Sequence, residues 1–261
     1  MKKGKRRRGN ETNKFMEDRI SQMPDEILVS ILSLLTMKEA AWTSILSRRW
    51  KNMWTFITSS LEFDWSAVVL KLELLDVARK NFVRWVNRVL ESHQALIINE
   101  FRVGFDLDGI NSKCDIDRWI NFALGKGVKR LELNLASFWG NSPEGRYAFP
   151  SHSLNVSSFN SLTSLSLTYV DVSGEVLESF LFNCPFLEGL YVGHSYGLVN
   201  LKVYGLSLRL KYLEICHCNN LKNLEISSMN LMLFKYFGPV ISMPLRNVPC
   251  LNTVSFGGYI L

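Results

Sequence analysis

A short apolar motif recurs along the second half of the chain and constrains its fold more than any other feature. The pattern apolar-x-x-apolar-x-apolar appears as VKRLEL, LTSLSL, LEGLYV, LKYLEI, LMLFKY and LNTVSF, with a degenerate copy at Phe101-Arg-Val103. The middle apolar residues are Leu131, Leu165, Leu190, Leu213, Phe234 and Val254, so successive copies lie 34, 25, 23, 21 and 20 residues apart. One copy alone cannot bury its leucines, so we expect neighbouring copies to stack into a continuous core.

A period in the twenties with LxxLxL at its centre is the signature of a leucine-rich repeat. Side chains alternate along a strand, so the leucines point inward and the residues between them point outward on the concave face. We predict that this outward row is a contact surface for another protein, although each residue taken alone is also compatible with a solvated strand position. The predicted residues are Arg130, Glu132, Ser166, Tyr191, Tyr212, Glu214, Lys235 and Ser255.

The segments between the copies predict a solenoid that begins with strand-plus-helix turns and becomes strand-rich toward its C-terminal end. Asp115 and Ser173 are the predicted caps of two helices. The copies at 198–203 and 221–226 follow too closely for an intervening helix, so we expect extended segments on the opposite wall. The insertion SFWGNSPEGRYAFPSHS, rich in Gly, Pro and Ser, predicts a surface loop. The last strand comes close to Leu261, so we expect the final turn to be uncovered.

The N-terminal part of the chain predicts a small helical unit with too much apolar surface to bury alone. Pro24 suits a first helical position. Thr36 and Glu39 have capping-box spacing for a second helix through Leu46, and Ser47 can cap a third. About forty residues cannot enclose this many apolar side chains, which indicates a docking face.

Residues 18–57 resemble an F-box. The matching residues are Met23-Pro24-x-x-Ile27-Leu28-x-x-Ile31-Leu32-Ser33, Leu46-Ser47-Arg48-Arg49-Trp50 and Trp54, with Met23 in place of the usual Leu. The resemblance implies binding to a Skp-type adaptor and, through it, to a cullin-RING scaffold. The residues that we assign to adaptor binding are Met23, Pro24, Ile27, Leu28, Ile31, Leu32, Leu35, Leu46 and Trp50. The alternative is a helical subdomain packed on the rest of the chain.

An F-box followed by leucine-rich repeats is similar to a large plant family of F-box proteins. That resemblance implies the substrate-recognition subunit of an SCF-type ubiquitin ligase, with an α/β fold and an unknown target protein on the repeats. The expected organisation is a basic tail at 1–17, the F-box at 18–57, a helical connector at 58–95 and the repeat solenoid at 96–261. Many family members have further repeats and a C-terminal module, which we expect to be absent here. A repeat scaffold or inhibitor without a cullin, and an enzyme, are the alternatives.

The charge of the chain is concentrated in its tail. Of the 30 lysines and arginines, six lie in the first eight residues, and without them the basic residues equal the 24 acidic ones. A nucleic-acid-binding domain would have a basic face of its own, so we expect no nucleic-acid partner. The tail predicts residence in the nucleus as well as the cytoplasm, or simply a solubilising terminus. No apolar run is long enough to cross a membrane, so we expect no membrane partner.

The sequence contains no recognisable catalytic or metal-binding pattern. Cys216-His217-Cys218 lacks a second pair of ligands, which favours buried thiols over a metal site. The five cysteines show no regular spacing and predict reduced thiols. His93, His152, His194 and His217 fall in four unrelated sequence contexts, and no nucleophile elbow surrounds Ser195. We therefore predict no catalytic residue, no metal and no cofactor.

Overall fold

The structure, a computed structural model, describes residues 20, 22–64, 74–136, 145–150, 160–205 and 208–259. Within these ranges are five α-helices, two 3-10 helices and eleven strands. The predicted basic tail lies outside the described residues. No helix in the described ranges combines the length and the apolar character that a membrane crossing requires.

The N-terminal unit consists of short helices. Its elements are α1 (Asp25–Leu32), α2 (Met37–Trp42) and two 3-10 helices (Thr43–Ile45 and Trp50–Phe56). Pro24 precedes α1 as its N-cap, with ψ 153°, and is not its first helical residue as predicted. The capping box is confirmed, because the Thr36 hydroxyl accepts from the backbone N–H of Glu39 while the Glu39 carboxylate accepts from the N–H of Thr36, at 3.0 Å.

The predicted continuation of α2 to Leu46 is wrong, because the α-helix ends at Trp42. The Thr43 hydroxyl donates to the carbonyl of Ala40 (2.7 Å), and the Ser44 hydroxyl donates to the carbonyl of Lys51 (2.8 Å). Side chains that bond to the backbone in this way compete with regular helix, and the chain tightens into a 3-10 turn here.

Eight parallel strands form the main sheet. The eleven strands of the structure are β1 (Ser60–Asp64), β2 (Glu100–Gly104), β3 (Arg130–Asn134), β4 (Ser164–Thr168), β5 (Gly189–Gly193), β6 (Asn200–Gly205), β7 (Tyr212–Cys216), β8 (Asn223–Ser228), β9 (Leu233–Pro239), β10 (Leu245–Arg246) and β11 (Thr253–Tyr259). The main sheet has the order β1-β2-β3-β4-β5-β7-β9-β11. The extended segments predicted at 198–203 and 221–226 are confirmed as β6 and β8, which form a second parallel sheet with β10.

The register of the main sheet confirms the repeat predicted from the motif. Leu131 pairs with Leu165, Leu165 with Leu190, and the row continues through the middle residue of each later copy to Val254. Phe101 belongs to the same row, as its degenerate copy indicated. Leu61 extends the row by one strand, so the segment 58–95, predicted as a helical connector, also contains strand β1.

Three longer helices accompany the early strands. They are α3 (Leu75–Ser92), α4 (Lys113–Gly125) and α5 (Gly174–Asn183). Ser173 caps α5 as predicted, since its hydroxyl accepts from the N–H of Val176 (3.4 Å). Asp115 does not cap α4, which begins two residues earlier; its carboxylate instead accepts from the Asn87 amide at 2.9 Å.

The helices cover the leucine face of the sheet with aromatic contacts. Phe63 on β1 meets Trp85 on α3, with ring centroids 5.2 Å apart, and Phe82 stacks on Phe105 at 4.6 Å. At the start of α5, a Cβ on Gly174 would lie 1.8 Å from the carbonyl oxygen of Asn200, so only glycine permits this approach of α5 to β6. Helices and both sheets contribute to one core.

Two aromatic residues anchor the insertion between β3 and β4 in the core. Tyr147 and Phe149 are both in the core. The Tyr147 hydroxyl donates to the Asp117 carboxylate on α4, and the Phe149 ring makes an edge contact with Phe180 at 5.6 Å. The prediction of a surface loop is therefore wrong for Tyr147 and Phe149 but not for Ala148, which is exposed. Residues 137–144 and 151–153 lie outside the described residues.

Candidate functional site

An apolar surface on the N-terminal helical unit is the first candidate site. Leu34 is 85% exposed and Ile45 is 88% exposed, although both side chains are large and apolar. We call the group to which they belong the apolar face; its members are Ile27, Ile31, Leu34, Leu35, Trp42, Ile45 and Leu46, all of them exposed. So many exposed apolar side chains on one small unit indicate a protein-binding surface.

The predicted adaptor-binding residues divide between this face and the interior. Ile27, Ile31, Leu35 and Leu46 lie on the apolar face, Pro24 is exposed and Met23 is half-buried. The remaining three, Leu28, Leu32 and Trp50, are in the core and present no surface to a partner. The interior of the unit is too small to enclose the whole apolar stripe of α1. Leu28 and Leu32 therefore turn inward, while Ile27 and Ile31 stay exposed.

Sequence reasoning missed Leu34, Trp42 and Ile45, which are more exposed than the residues it selected. Leu34 lies two residues beyond the end of α1, and Trp42 ends α2, so helical periodicity assigns neither to a face. An available signal was the number of apolar residues in the unit, which exceeds what so short a segment encloses.

Charged groups fix the start of α1. The Arg49 guanidinium donates to the carbonyl of Met23 and forms an ion pair with the Asp25 carboxylate. These contacts join the segment before the second 3-10 helix to the first turn of α1. Hydrogen bonds from the Thr36 backbone and side chain lower the pKa of Glu39 at the start of α2.

The exposed face of the main sheet is the second candidate site, and it contains every predicted contact residue of the repeats. One outward row places Glu132, Ser166, Tyr191, Glu214, Lys235 and Ser255 in direct register. Arg130 and Tyr212 lie in the neighbouring outward row, separated by Ser164 and Gly189. The structure therefore brings all eight residues onto one surface.

Charges on this surface pair across adjacent strands. Arg102 on β2 approaches Glu132 on β3 (Nε–Oε1 3.2 Å), and Glu100 and Arg130 form a second pair between the same strands. On the same face but nearer the C-terminal strands, Lys235 on β9 donates to Glu214 on β7 at 3.2 Å. Cross-strand pairs of opposite charge stabilise a sheet and neutralise its surface.

The two tyrosines predicted as contacts differ in orientation. Tyr191 lies along its strand, since a Cβ on Gly193 would be 2.8 Å from the Tyr191 hydroxyl oxygen. Burial, followed by the charges of neighbouring groups, raises the pKa of Tyr191 to about 12. Tyr212 is 46% exposed and is the more accessible aromatic side chain.

Three stacked rings line the edge of the sheet where strands β4, β5 and β7 end. Tyr169 stacks on His194 with centroids 4.2 Å apart, and His194 stacks on His217 at 4.8 Å. All three residues have positive φ, between 55° and 57°. The conclusion that His194 and His217 occupy unrelated contexts is therefore wrong: each directly follows a strand, in equivalent positions. His93 is separate, buried with its Nε2–H donating to the carbonyl of Ile57 (2.9 Å); His152 lies outside the described residues.

Arg146 joins the insertion to this row of rings. Its guanidinium lies 4.2 Å from the Tyr196 ring centroid and 5.4 Å from that of Tyr169, and it donates to the carbonyl of His194. Burial, together with the neighbouring His217 and the Arg146 charge, lowers the pKa of His194. Sequence reasoning missed this cluster because its members come from four separate loops.

The thiols and Ser195 have structural surroundings. Burial raises the pKa of both Cys184 and Cys218 to about 12, so these thiols are protonated and unreactive at neutral pH. The buried Ser195 hydroxyl accepts from the N–H of Val172 at 3.0 Å. In the ranges that the structure describes, no three His, Cys, Asp or Glu residues are grouped in a way that would hold a metal.

Comparison with known families assigns both surfaces to domains. The F-box domain matches residues 20–57, which include the whole apolar face. The domain described as "At1g61320/AtMIF1, LRR domain" matches residues 152–256, which include strands β4, β5, β7 and β9 of the main sheet and most of β11.

Several curated proteins of Arabidopsis thaliana are similar over most of the chain. The putative F-box/LRR-repeat protein At3g58880 is 33% identical over 91% of this chain and 52% of its own length. The F-box/FBD/LRR-repeat protein At1g13570 is 29% identical over 93% of this chain and 54% of its own length. A third, the F-box/LRR-repeat protein At3g03360, is 33% identical over 76% of this chain and 43% of its own length. The chain thus spans about half the length of the curated relatives it matches.

Proposed function

Because the chain is a plant F-box protein with leucine-rich repeats, we propose that it is the substrate-recognition subunit of an SCF-type ubiquitin ligase. In this role the F-box binds a Skp-type adaptor, the adaptor connects to a cullin-RING scaffold, and the sheet face binds a target protein. The proposal includes a three-helix organisation of the F-box and a solenoid built from one leucine-rich repeat per strand.

The apolar face carries this proposal. The seven large apolar side chains of this face are exposed on a unit of fewer than forty residues, and Ile20 and Phe56 of the same unit are exposed as well. Such a composition is costly in water and typical of a surface covered by a partner. Leu34, Trp42 and Ile45 are the most exposed of them and are the expected centre of the adaptor contact. Burial of such side chains contributes about 1.5–3 kcal/mol each.

The sheet face supports the second half of the proposal. Parallel pairing through eight strands holds the outward side chains in fixed rows, so a partner meets a preformed surface. No catalytic group is needed for this role, since the chain would supply proximity and orientation to a reaction performed by other subunits. A scaffold or inhibitor that uses the sheet face without an adaptor is the alternative, and it leaves the apolar face unexplained.

Co-purification with a plant Skp-type adaptor tests the proposal. We expect the full chain to retain the adaptor and the double variant Ile31→Asp/Ile45→Asp to lose it, because a carboxylate without a partner in the interface costs several kcal/mol. Phe182→Asp on α5 is the matched control, since Phe182 is as exposed as Ile45 but far from the F-box in sequence. Circular dichroism of each variant shows that the fold is retained. Failure of the unaltered chain to bind the adaptor would favour the scaffold alternative.

A further inference from the structure

The middle of the sheet face differs from its two sides in size and charge. Strand β4 presents Ser164, Ser166 and Thr168 outward, and β5 presents Gly189 and Gly193. We call these five residues the neutral floor. None carries a charge, and the serines and glycines have small side chains or none, so the side chains between β3 and β7 are short as well as uncharged.

The Tyr191 side chain lies flat along this floor and does not project from it. Its ring occupies the space that a side chain at Gly193 would fill, and the residue is half-buried. Beside it on β7, Tyr212 is more exposed and forms an aromatic border. A partner on the floor therefore meets small polar groups below and a ring at one side.

The charged residues beside the floor already satisfy one another. On one side are the Arg102–Glu132 and Arg130–Glu100 pairs, and on the other is the Lys235–Glu214 pair. A fourth pair, Lys211–Glu188 at 2.9 Å, lies where β5 and β7 begin. A charged partner would have to break these pairs to gain its own, whereas an uncharged one leaves them intact.

The width of the floor suits a single segment of polypeptide. Strands β3 and β7 are separated by three strand spacings, which is about 14 Å at ~4.8 Å each. An α-helix with its side chains is about 10–12 Å across, so one helix or one extended segment fits between the charged borders. Because the residues of the neutral floor are small, the backbone of the bound segment can approach the sheet closely.

We propose that the neutral floor is the docking surface of the target and that it selects an uncharged segment, packed against Tyr212 and held by fit rather than by ion pairing. This inference rests on the proposed function, in which the sheet face binds the target.

Phage-displayed random peptides of about sixteen residues, selected on the full chain bound to a Skp-type adaptor, provide the test. We expect enriched peptides with net charge near zero and apolar residues, whose Kd changes less than about twofold between 0.05 and 0.5 M salt. Ser166→Trp fills the floor and should weaken binding at least about tenfold. Ser92→Trp, at an exposed position at the end of α3 and off the sheet face, is the matched control and should have no effect.

A double variant tests whether the peptide is held by shape complementarity or by ion pairing. Glu188→Gln/Lys211→Gln removes one ion pair beside the floor without adding bulk, and peptide binding should be unchanged. Selection of charged, salt-sensitive peptides, full binding by Ser166→Trp, or no floor-dependent peptide at all would overturn the inference. Adaptor retention is measured on the same preparations, so a chain that keeps the adaptor but fails these tests refutes the floor alone. A chain that loses the adaptor refutes the proposed function instead.

Discussion

Tyr169 and His194 stack face to face, with ring centroids 4.2 Å apart and planes 5° from parallel, because they occupy equivalent positions after β4 and β5. Each sits in the left-handed region of φ, which costs about 1–3 kcal/mol for a residue other than glycine. Hydrogen bonds from the Tyr169 N–H to the Gly193 carbonyl (3.0 Å) and from the His194 N–H to the Cys216 carbonyl (2.8 Å) hold this conformation.

The imidazoles of His93, which is buried, and His194, which is half-buried, predict a loss of stability in mild acid. Burial lowers the pKa of His93 and of His194, and the charges of Lys126 and Arg146 respectively add to the effect. The unfolded chain, with a histidine pKa of about 6.5, then binds more protons than the folded one. This stability is complete above pH ~6.5 and is lost as the pH falls through that value toward the folded-state pKa.

Urea unfolding at pH 7.5 and pH 5.5 checks this prediction. His194→Phe keeps a ring for stacking and removes the titrating group, so its stability should fall less between the two pH values than that of the unaltered chain. His152→Phe is the control for a change of histidine content. Equal losses in His194→Phe and the unaltered chain would assign the acid sensitivity to other groups.

Neighbouring residues of α1 should respond oppositely to truncation. Leu32 is in the core, so Leu32→Ala should cost about 2–5 kcal/mol of unfolding free energy. Ile31 lies on the apolar face, and Ile31→Ala should cost no more than about 1 kcal/mol while weakening adaptor binding. Denaturant titration monitored by tryptophan fluorescence measures the first effect, and adaptor titration measures the second. Similar stability losses for the two variants would place Ile31 in the core as well.

The hydroxyl of Tyr147 should stabilise the insertion. Burial and the hydrogen bond to Asp117 raise the pKa of Tyr147 well above its ordinary value, so it remains a donor at all physiological pH values. Tyr147→Phe removes the donor and should cost about 1–3 kcal/mol. Tyr204→Phe is the control, because Tyr204 also bonds to a carboxylate, that of Glu225, but is exposed. Thermal unfolding of both variants compares them, and equal shifts in Tm would contradict a specific role for the buried bond.

The basic tail should direct the chain to the nucleus. A fluorescent reporter fused to residues 1–17 is expected to accumulate in nuclei, and replacing Arg6, Arg7 and Arg8 with Ala should reduce this accumulation. Replacing Asn10, Thr12 and Asn13 with Ala is a control that keeps the charge. An unchanged distribution in the arginine variant would leave the tail with a solubilising role only.

The sequence by itself determined the repeat and its register. The spacing of Leu131, Leu165, Leu190 and Leu213 predicted which residues pair, because strand alternation and repeat length are local properties of the chain. The caps at Thr36 and Ser173 were likewise predictable, since each depends on a side chain and an N–H three residues apart.

Only the tertiary structure decided which apolar residues face solvent and which distant residues meet. Leu32 and Ile31 are adjacent and equally apolar, yet the small interior of the helical unit accepts one and leaves the other exposed. Tyr147 lies in a segment whose composition indicates a loop. It can be buried because Asp117 on α4 accepts a hydrogen bond from its hydroxyl. Burial depends on what the rest of the chain brings nearby, and local sequence carries no record of that.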